Sequence, residues 1–522
     1  MFFFLCLCTF LQARPALDKP NIVLFYVDDL GYGDLGFTGH PTAKTPNIDR
    51  LAFQGKVLTS SYTAAAVCTA SRTALLTGRQ PPRVGMPGVI NSLSAAGLPL
   101  NETTIANYLK DVGYKTLAIG KWHQGQQIQY LPKNRGFDAF FGLPFSVDDG
   151  TGFVSSCNST ESPEQLNPFS LGPQLPLPLL KQTDDESLIL KQPTDLMPLT
   201  SDFQKFIHDF VTSHQEDPMF LYLATAHVHT ATPNINPPLE QYASCPFVNS
   251  TSRGRFGDAL AEVDWLVGKV EAQLSELDLM KNTLLLFTSD NGPWLVKGLG
   301  GGSMGLFTGL SAGYPNTGKG STWEGGIRMP TFAYWPGVIA AQTRSSEIVS
   351  SMDILPTALE LAGVNPGVVK APLDGKSMVD ILLHNGKSLH TFLPFYNGKY
   401  YGNVSTEIYA ARMGSLKAHF VTAPGLIPGK EMTPTYHSPP LVFDIDQDPS
   451  EQYPLSEDTY PGLNVAIASF LREKKSYEEN LFVRSIDKRF GKEWALCCDW
   501  ATNCSCSSPT PIQPTPASFL PG

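Results

Sequence analysis

The run Ile22-Val23-Leu24-Phe25-Tyr26-Val27, continued at once by Asp28-Asp29, governs how the rest of the chain is read. Six apolar residues in an unbroken row suit a strand covered on both faces, as in a parallel sheet. Three more runs share the same plan. Residues 115–119 lead into Lys121-Trp122-His123, residues 220–224 into His227-Val228-His229, and residues 284–288 into Asp290-Asn291-Gly292. Residues 331–335 read as a fifth strand. In an open α/β sheet, ligands bind beyond the carboxyl ends of the strands. Four strands therefore deliver acids, an amide, a lysine and histidines to one edge. A fifth polar group arrives with the Gly-rich run Gly318-Lys319-Gly320-Ser321-Thr322.

Between these runs lie helical patterns. Residues 103–111 end at Gly113, a suitable C-cap. Residues 202–211 and 258–277 repeat with a 3.6-residue period. The second places Leu260, Val263, Leu266, Val267, Val270 and Leu274 on one broad face. Strands alternating with helices predict an α/β fold: a large domain with a mostly parallel central sheet flanked by helices. From about residue 390 the pattern changes to short strands at 393–396, 408–412, 417–422 and 441–444, then one helix near 463–474. That predicts a smaller C-terminal domain with an antiparallel sheet and a helix. The expected division is a catalytic domain over 18–388, an α+β subdomain over 389–508 and a flexible tail over 509–522. The Pro-rich stretch 162–199 reads as an irregular insertion, and the Gly-rich stretch 298–320 as a mobile loop.

The chain has 522 residues, more than one ordinary core holds. Hydrophobic residues make up 42% and charged residues 16%, a globular balance. A net charge of −10 argues against a nucleic-acid partner. Residues 1–11 are almost wholly apolar and small residues come next, so residues 1–16 read as a signal peptide that lacks the usual basic start. No stretch is long and apolar enough to predict a transmembrane segment. Of nine cysteines, two lie in that leader. The tail cluster Cys497-Cys498…Cys504-Ser505-Cys506 suggests two local disulfides, with 497–504 and 498–506 as one pairing and a zinc knot as the alternative. Sequons at Asn101, Asn158, Asn249, Asn403 and Asn503 reinforce a secretory route.

Asp28, Asp29, Asp290 and Asn291 are hard oxygen donors of the kind calcium collects; magnesium demands a stricter octahedron. Taken singly, each pair is also a turn former. Arg72, Lys121 and Lys319 could set fixed positive charge against an anion. His123 and His229 are the natural proton carriers, although a lone histidine is more often structural.

Cys68 opens Cys68-Thr69-Ala70-Ser71-Arg72-Thr73-Ala74-Leu75-Leu76-Thr77-Gly78-Arg79. Alone it would be an inert buried thiol. Together with Arg72, the Leu75-Leu76 pair, Thr77-Gly78 and Arg79, it resembles the type I sulfatase signature, with Ala70 where the family usually has proline. The likeness extends to Asp28-Asp29-Leu30-Gly31-Tyr32-Gly33-Asp34, to Gly120-Lys121-Trp122-His123, to Phe141-Gly142-Leu143-Pro144-Phe145-Ser146, to Asp290-Asn291-Gly292-Pro293 and to residues 318–328. Lys417-Ala418-His419-Phe420, the run from His437 to Asp444 and the doubled tail cysteines match as well. The chain is similar throughout to sulfatases of the alkaline-phosphatase superfamily, nearest to the arylsulfatase A and arylsulfatase G group.

That resemblance implies that Cys68 is oxidised to Cα-formylglycine by the formylglycine-generating enzyme. It implies calcium on Asp28, Asp29, Asp290, Asn291 and residue 68. Arg72 and Lys121 would hold the hydrate, His123 would take a proton from it, and Asp290 would help activate it. Lys319 and His229 would bind sulfate, Ser146 would bond near it, and His437 would line the substrate pocket. His227 is the lesser member of its pair. The implied function is hydrolysis of aryl sulfates or of sulfated sugars and glycolipids in a lysosomal or extracellular setting, and the family suggests a homo-oligomer. Two alternatives stand beside it: a formylglycine-dependent phosphonate or phosphodiester hydrolase, and an inactive homologue that binds sulfated glycans.

Overall fold

The computed structural model describes residues 19–155, 157, 164–165, 175–231, 241–397, 407–430, 433–484, 487–506 and 508–513. The expected leader and the sequons at Asn158 and Asn403 lie outside them.

Eleven strands form the main sheet. Its centre runs Thr283–Ser289, Asn21–Val27, Met219–Ala224, Lys115–Lys121 and Ala139–Leu143, all parallel. Phe332–Tyr334 and Lys56–Leu58 extend one side antiparallel, with Thr343–Ser345 outermost. Leu179–Gln182, Ser187–Lys191 and Thr510–Pro511 extend the other, also antiparallel. The sheet is thus parallel at its core and mixed at its flanks.

The central strand shows why an unbroken apolar run was needed. Val23, Phe25 and Val27 point into one core with Phe203, Ile207, Leu260, Val263 and Val267, from the helices Leu199–Ser213 and Gly254–Glu276. Ile22, Leu24 and Tyr26 point into the opposite core with Leu75, Leu76, Ile105, Leu109 and Leu355. Both faces are covered, so each position gains burial free energy, about 1.5–3 kcal/mol for a large apolar side chain. Register is level across the centre. Val27 pairs with Ser289 and Ala224 with Gly120, so the residues after each strand emerge at one edge.

A second, four-stranded antiparallel sheet comprises Leu393–Tyr396, Ile408–Met413, Leu416–Thr422 and Thr435–Asp444. The helix Leu463–Glu479 lays Leu463, Ile467 and Phe470 on it. A buried ionic network joins this sheet to the helix Glu324–Ile327, to Arg328 and to Tyr62. Glu324 accepts from Lys417 at 2.9 Å, Arg328 at 3.0 Å and the Tyr62 hydroxyl at 2.8 Å. Glu451 takes Lys417 at 2.9 Å and His419 at 2.7 Å, and its other oxygen accepts from the Glu324 amide.

Two stretches differ from expectation. The Pro-rich stretch contributes the strands at 179–182 and 187–191, whose pairing depends on distant partners that local composition does not show. The Gly-rich stretch is laced down: Gly33 donates to Ser303, Leu310 to Ser450, Ser311 to Glu451 and Gly320 to Ala66. Disulfides join Cys157–Cys245, Cys497–Cys504 and Cys498–Cys506. The tail cluster is therefore bridged, and the zinc alternative falls. Part of the expected flexible tail, Thr510–Pro511, pairs with Ser187–Lys191.

Candidate active site

Cys68 is the first residue of the helix Cys68–Thr77. It is the free cysteine among the described residues, and it is buried. The helix is buried on every side, and its polar side chains are hydrogen-bonded: Ser71 with Tyr26 and Thr63, Thr73 to Gln124, and Thr77 to the Thr73 carbonyl. Sγ of Cys68, carboxylate oxygens of Asp28 and Asp29, and a ring nitrogen of His229 all lie within 4.8 Å of one another. Burial pushes the Cys68 thiol well up, and the cations of Lys121 and Lys319 offset only part of that. An unmodified cysteine here stays protonated and is a poor nucleophile.

One turn along the same helix, Arg72 reaches out to the sheet edge. It donates through Nε and Nη2 to Asp290 Oδ2 at 3.1 and 2.8 Å, and through Nη1 to the Lys121 carbonyl at 3.0 Å. Its Nη2 lies 3.5 Å from Asp28 Oδ1. Lys121, at the end of its strand, donates to Asp28 Oδ2 at 2.7 Å and to Ser146 Oγ at 3.1 Å. Gly120 just before it must be glycine. Its φ is +88°, and a Cβ would stand 2.0 Å from the Ala224 carbonyl.

Lys319 donates to both oxygens of Asp29, at 2.7 and 2.8 Å, and approaches His229 Nε2 at 3.0 Å. His229 Nδ1 faces the Thr230 carbonyl at 2.8 Å. A carbonyl can only accept, so Nδ1 carries a proton. The loop bearing Lys319 rests on the C-terminal part of the chain. The Leu426 amide donates to the Lys319 carbonyl at 2.6 Å, and Trp294 Nε1 donates to the Leu426 carbonyl at 3.1 Å.

His123 obeys the same logic with the opposite nitrogen. Nε2 faces the Ile90 carbonyl at 2.7 Å, so Nε2 holds the proton and Nδ1, buried and without a hydrogen-bond partner among the described residues, keeps its lone pair. Burial first, then Lys121, holds His123 well below the ordinary histidine range, so it stays neutral. Asp29 and His123 both adopt left-handed backbone, φ +56°. Such conformations cost about 1–3 kcal/mol each and persist where the surroundings impose them.

The acids split in character. Burial opposes ionisation of Asp28, yet Lys121, His229 and Arg72 outweigh it and hold its carboxyl below the usual range. For Asp290, burial and the neighbouring Asp28 prevail, and its carboxyl is raised. Among the described residues, Asp28 Oδ1 and Asn291 Oδ1 are buried oxygens without a hydrogen-bond partner, while Asn291 Nδ2 is satisfied by Asp29 Oδ1 at 2.7 Å. Two orphaned acceptors beside Asp29, itself held in a strained conformation, fit a divalent cation bound through oxygen.

All the residues expected at this edge meet there except His437. That side chain lies on the C-terminal sheet, half-buried, with Nε2 2.9 Å from Thr422 Oγ1. Thr422 ends the strand that runs on toward Leu426. His227 turns away toward Glu262, 3.3 Å off, and stacks on Tyr242. Its main chain still clamps Asp28: the Asp28 amide donates to the His227 carbonyl, and the Val228 amide to the Asp28 carbonyl.

Sequence reading missed Asp148, Asp149 and Trp294. Asp149 lies 3.6 Å from His123 and Asp148 lies 3.9 Å from His229. Burial works against the charge of Asp148, but His229, Lys319 and Lys121 overcome it and hold its carboxyl far down. A doublet of acids two residues beyond Ser146 was the available signal.

The family model "Sulfatase" matches residues 20–364, and the model "C-terminal region of aryl-sulfatase" matches residues 388–506. Arylsulfatase A of Homo sapiens is 39% identical over 460 residues, covering 85% of this chain and 84% of that protein. Arylsulfatase G of Homo sapiens is 34% identical over 452 residues, covering 84% and 83%. Among solved structures, the PsFucS1 sulfatase from Pseudoalteromonas sp. superposes with a TM-score of 0.75 at 28% identity, covering 90% of this chain and 92% of that one.

Proposed function

The chain belongs to the sulfatase family, and on that premise we propose that it releases sulfate from aryl or carbohydrate sulfate esters, using a formylglycine formed from Cys68 and a bound calcium ion. Sulfuric ester hydrolysis is the activity of the family. The formylglycine, the calcium and the roles of single residues are our reading. The observation that carries it is the position of Cys68. A buried thiol that cannot ionise sits against two aspartates and a histidine, where a thiol has no use and an oxidised side chain does.

The hydrate of formylglycine supplies two hydroxyls on one carbon, one to attack sulfur and one whose deprotonation releases sulfate and restores the aldehyde. Calcium on Asp28, Asp29, Asp290, Asn291 and residue 68 supplies positive charge against the sulfate oxygens. The protein's own groups do the rest. Arg72, which donates to the Lys121 carbonyl, and Lys121, which donates to Ser146, would hold the hydrate at residue 68. Asp290, with its raised carboxyl, is placed to accept the proton of the attacking hydroxyl. Neutral His123 offers Nδ1 to the other hydroxyl. Lys319, aimed by Asp29 and His229, meets the charge that grows on the leaving oxygen. Ser146 would add a hydrogen bond from the Lys121 side, and His437 would line the substrate pocket.

Three disulfides support an oxidising compartment, and with the expected leader they support a lysosomal or extracellular location. Among the described residues no helix is long and apolar enough to cross a membrane. The test is a pair of measurements on protein secreted from a host that contains the formylglycine-generating enzyme. Peptide mass spectrometry across residue 68 should show the aldehyde, and the same protein with calcium should release sulfate from a chromogenic aryl sulfate. A converted protein that releases no sulfate from acid to neutral pH overturns the proposal.

A further inference from the structure

Gln124 is a fully buried polar side chain set between the helix that presents residue 68 and the end of the strand that leads to His123. Its Nε2 donates to two carbonyls, that of Thr69 at 2.9 Å and that of His123 at 2.8 Å. Carbonyls only accept, so the orientation of the amide is fixed and both of its hydrogens are used. Its Oε1 accepts from the Thr73 hydroxyl at 2.7 Å, one turn further along the same helix. One amide thus holds the helix at two points and His123 at a third.

A second tie joins the same two parts. The Thr69 hydroxyl accepts from the Ile90 amide at 3.3 Å, and the Ile90 carbonyl faces His123 Nε2 at 2.7 Å. Thr69, the neighbour of Cys68, is therefore linked to His123 twice: through its carbonyl by Gln124 and through its hydroxyl by Ile90. The first tie ends on the main chain of His123, which stands at φ +56°, and the second ends on its ring. A left-handed backbone at a non-glycine residue persists where the surroundings hold it, and Gln124 is one such hold. An apolar side chain of the same size would take a buried partner away from two carbonyls and a hydroxyl. Arg72 fastens the same helix to Asp290 by separate bonds.

We propose that Gln124 is a positioning residue that sets His123 against residue 68 for the second half of the reaction, the release of sulfate. The inference rests on the sulfatase reading above, in which Asp290 serves the attack on sulfur and His123 the deprotonation that frees sulfate. Gln124 holds the His123 side of residue 68, and Arg72 holds the Asp290 side. Removing Gln124 should therefore slow the second half and spare the first.

The test is Gln124→Leu, with Thr73→Val as a milder companion that leaves the amide in place and removes only the hydroxyl that aims it. On converted protein with calcium and 4-nitrophenyl sulfate, kcat should fall roughly tenfold to a hundredfold while kcat/KM holds, because kcat/KM reports only the steps up to loss of nitrophenol. Nitrophenol should then appear in a burst of about one per active site, with sulfate following slowly. A second readout needs no turnover. In unconverted protein carrying nitrogen-15 histidine, the Nε2 proton of His123, identified by its loss in His123→Asn, should exchange with solvent roughly tenfold faster in Gln124→Leu than in the wild type. Thr73→Val should move both readouts the same way by less, and it carries the test if Gln124→Leu is not secreted. Equal losses of kcat and kcat/KM without a burst, or an unchanged exchange rate, overturn the inference and make Gln124 a packing residue of the helix. A failure of the sulfatase reading looks different: the converted wild type releases neither product, while the exchange comparison still reads the link between Gln124 and His123.

Discussion

Arg72 places two of its nitrogens on a single oxygen of Asp290, leaving the other oxygen, Oδ1, to accept from the Asp29 amide at 3.1 Å. The helix that presents residue 68 is therefore fastened to the strand end that presents Asp290 and Asn291. Neither side chain is exposed. Arg72→Lys keeps the charge but loses the fork, and the lysine cannot reach Asp290 and the Lys121 carbonyl at once. We expect kcat per converted molecule to fall about 100-fold, because a misplaced nucleophile costs on that order. Sulfate release under single-turnover conditions checks it.

Cys68→Ala should abolish sulfate release while leaving the fold intact. The loss is chemical, since the side chain makes no hydrogen bond that holds the helix. Stability should fall by only about 1 kcal/mol, the usual effect of a small core truncation. Thermal melts beside turnover assays distinguish this from a folding defect.

Chelation should remove activity, and added calcium should restore it. The metal would satisfy Asp28 Oδ1 and Asn291 Oδ1, the orphaned acceptors. Binding to the folded state also raises stability, by roughly 2.7 kcal/mol at a hundred times Kd. Asn291→Leu, which removes one acceptor, should shrink the calcium-dependent rise in melting temperature. A melting temperature indifferent to calcium would count against this ligand set.

The contact between the four-stranded sheet and the helix Glu324–Ile327 should respond to acid. His419 is buried against Glu451; burial lowers its affinity for a proton and Lys417 adds to that, while Glu451 opposes. The net shift is downward, so the unfolded chain binds a proton at a pH where the folded one does not. The stability His419 contributes is present above the ordinary histidine pKa of about 6.5 and is lost as pH falls through the depressed folded value. His419→Gln should flatten the acid side of a melting-temperature profile taken from about pH 7.5 to about pH 4.5, a window that brackets that ordinary value.

Much of the site was legible because strand and ligand are contiguous. Ile22 to Val27 announces a doubly covered strand, and Asp28 is the next residue; the same holds for Ser289 and Asp290. The chemistry of Cys68 was legible from the run it opens, through Arg79. What escaped depends on distant partners. Asp148 matters because the strand 139–143 lies beside 115–121. The strands at 179–182 and 187–191 escaped because short edge strands carry no periodicity of their own. The network on Glu324 links residues 62, 328, 417 and 451, and no local pattern encodes such a meeting.

Leu426 gives its amide to the carbonyl of Lys319 and its carbonyl to the indole of Trp294. It is an aliphatic residue in the C-terminal region, with no reactive group and more than a hundred positions from the lysine it supports. A substitution that shifts its backbone, such as Leu426→Pro, would be scored by composition or by distance along the chain as a peripheral change. In an inherited or engineered variant it should instead behave like a lesion of the sulfate cradle: normal secretion, a converted residue 68 and failing turnover.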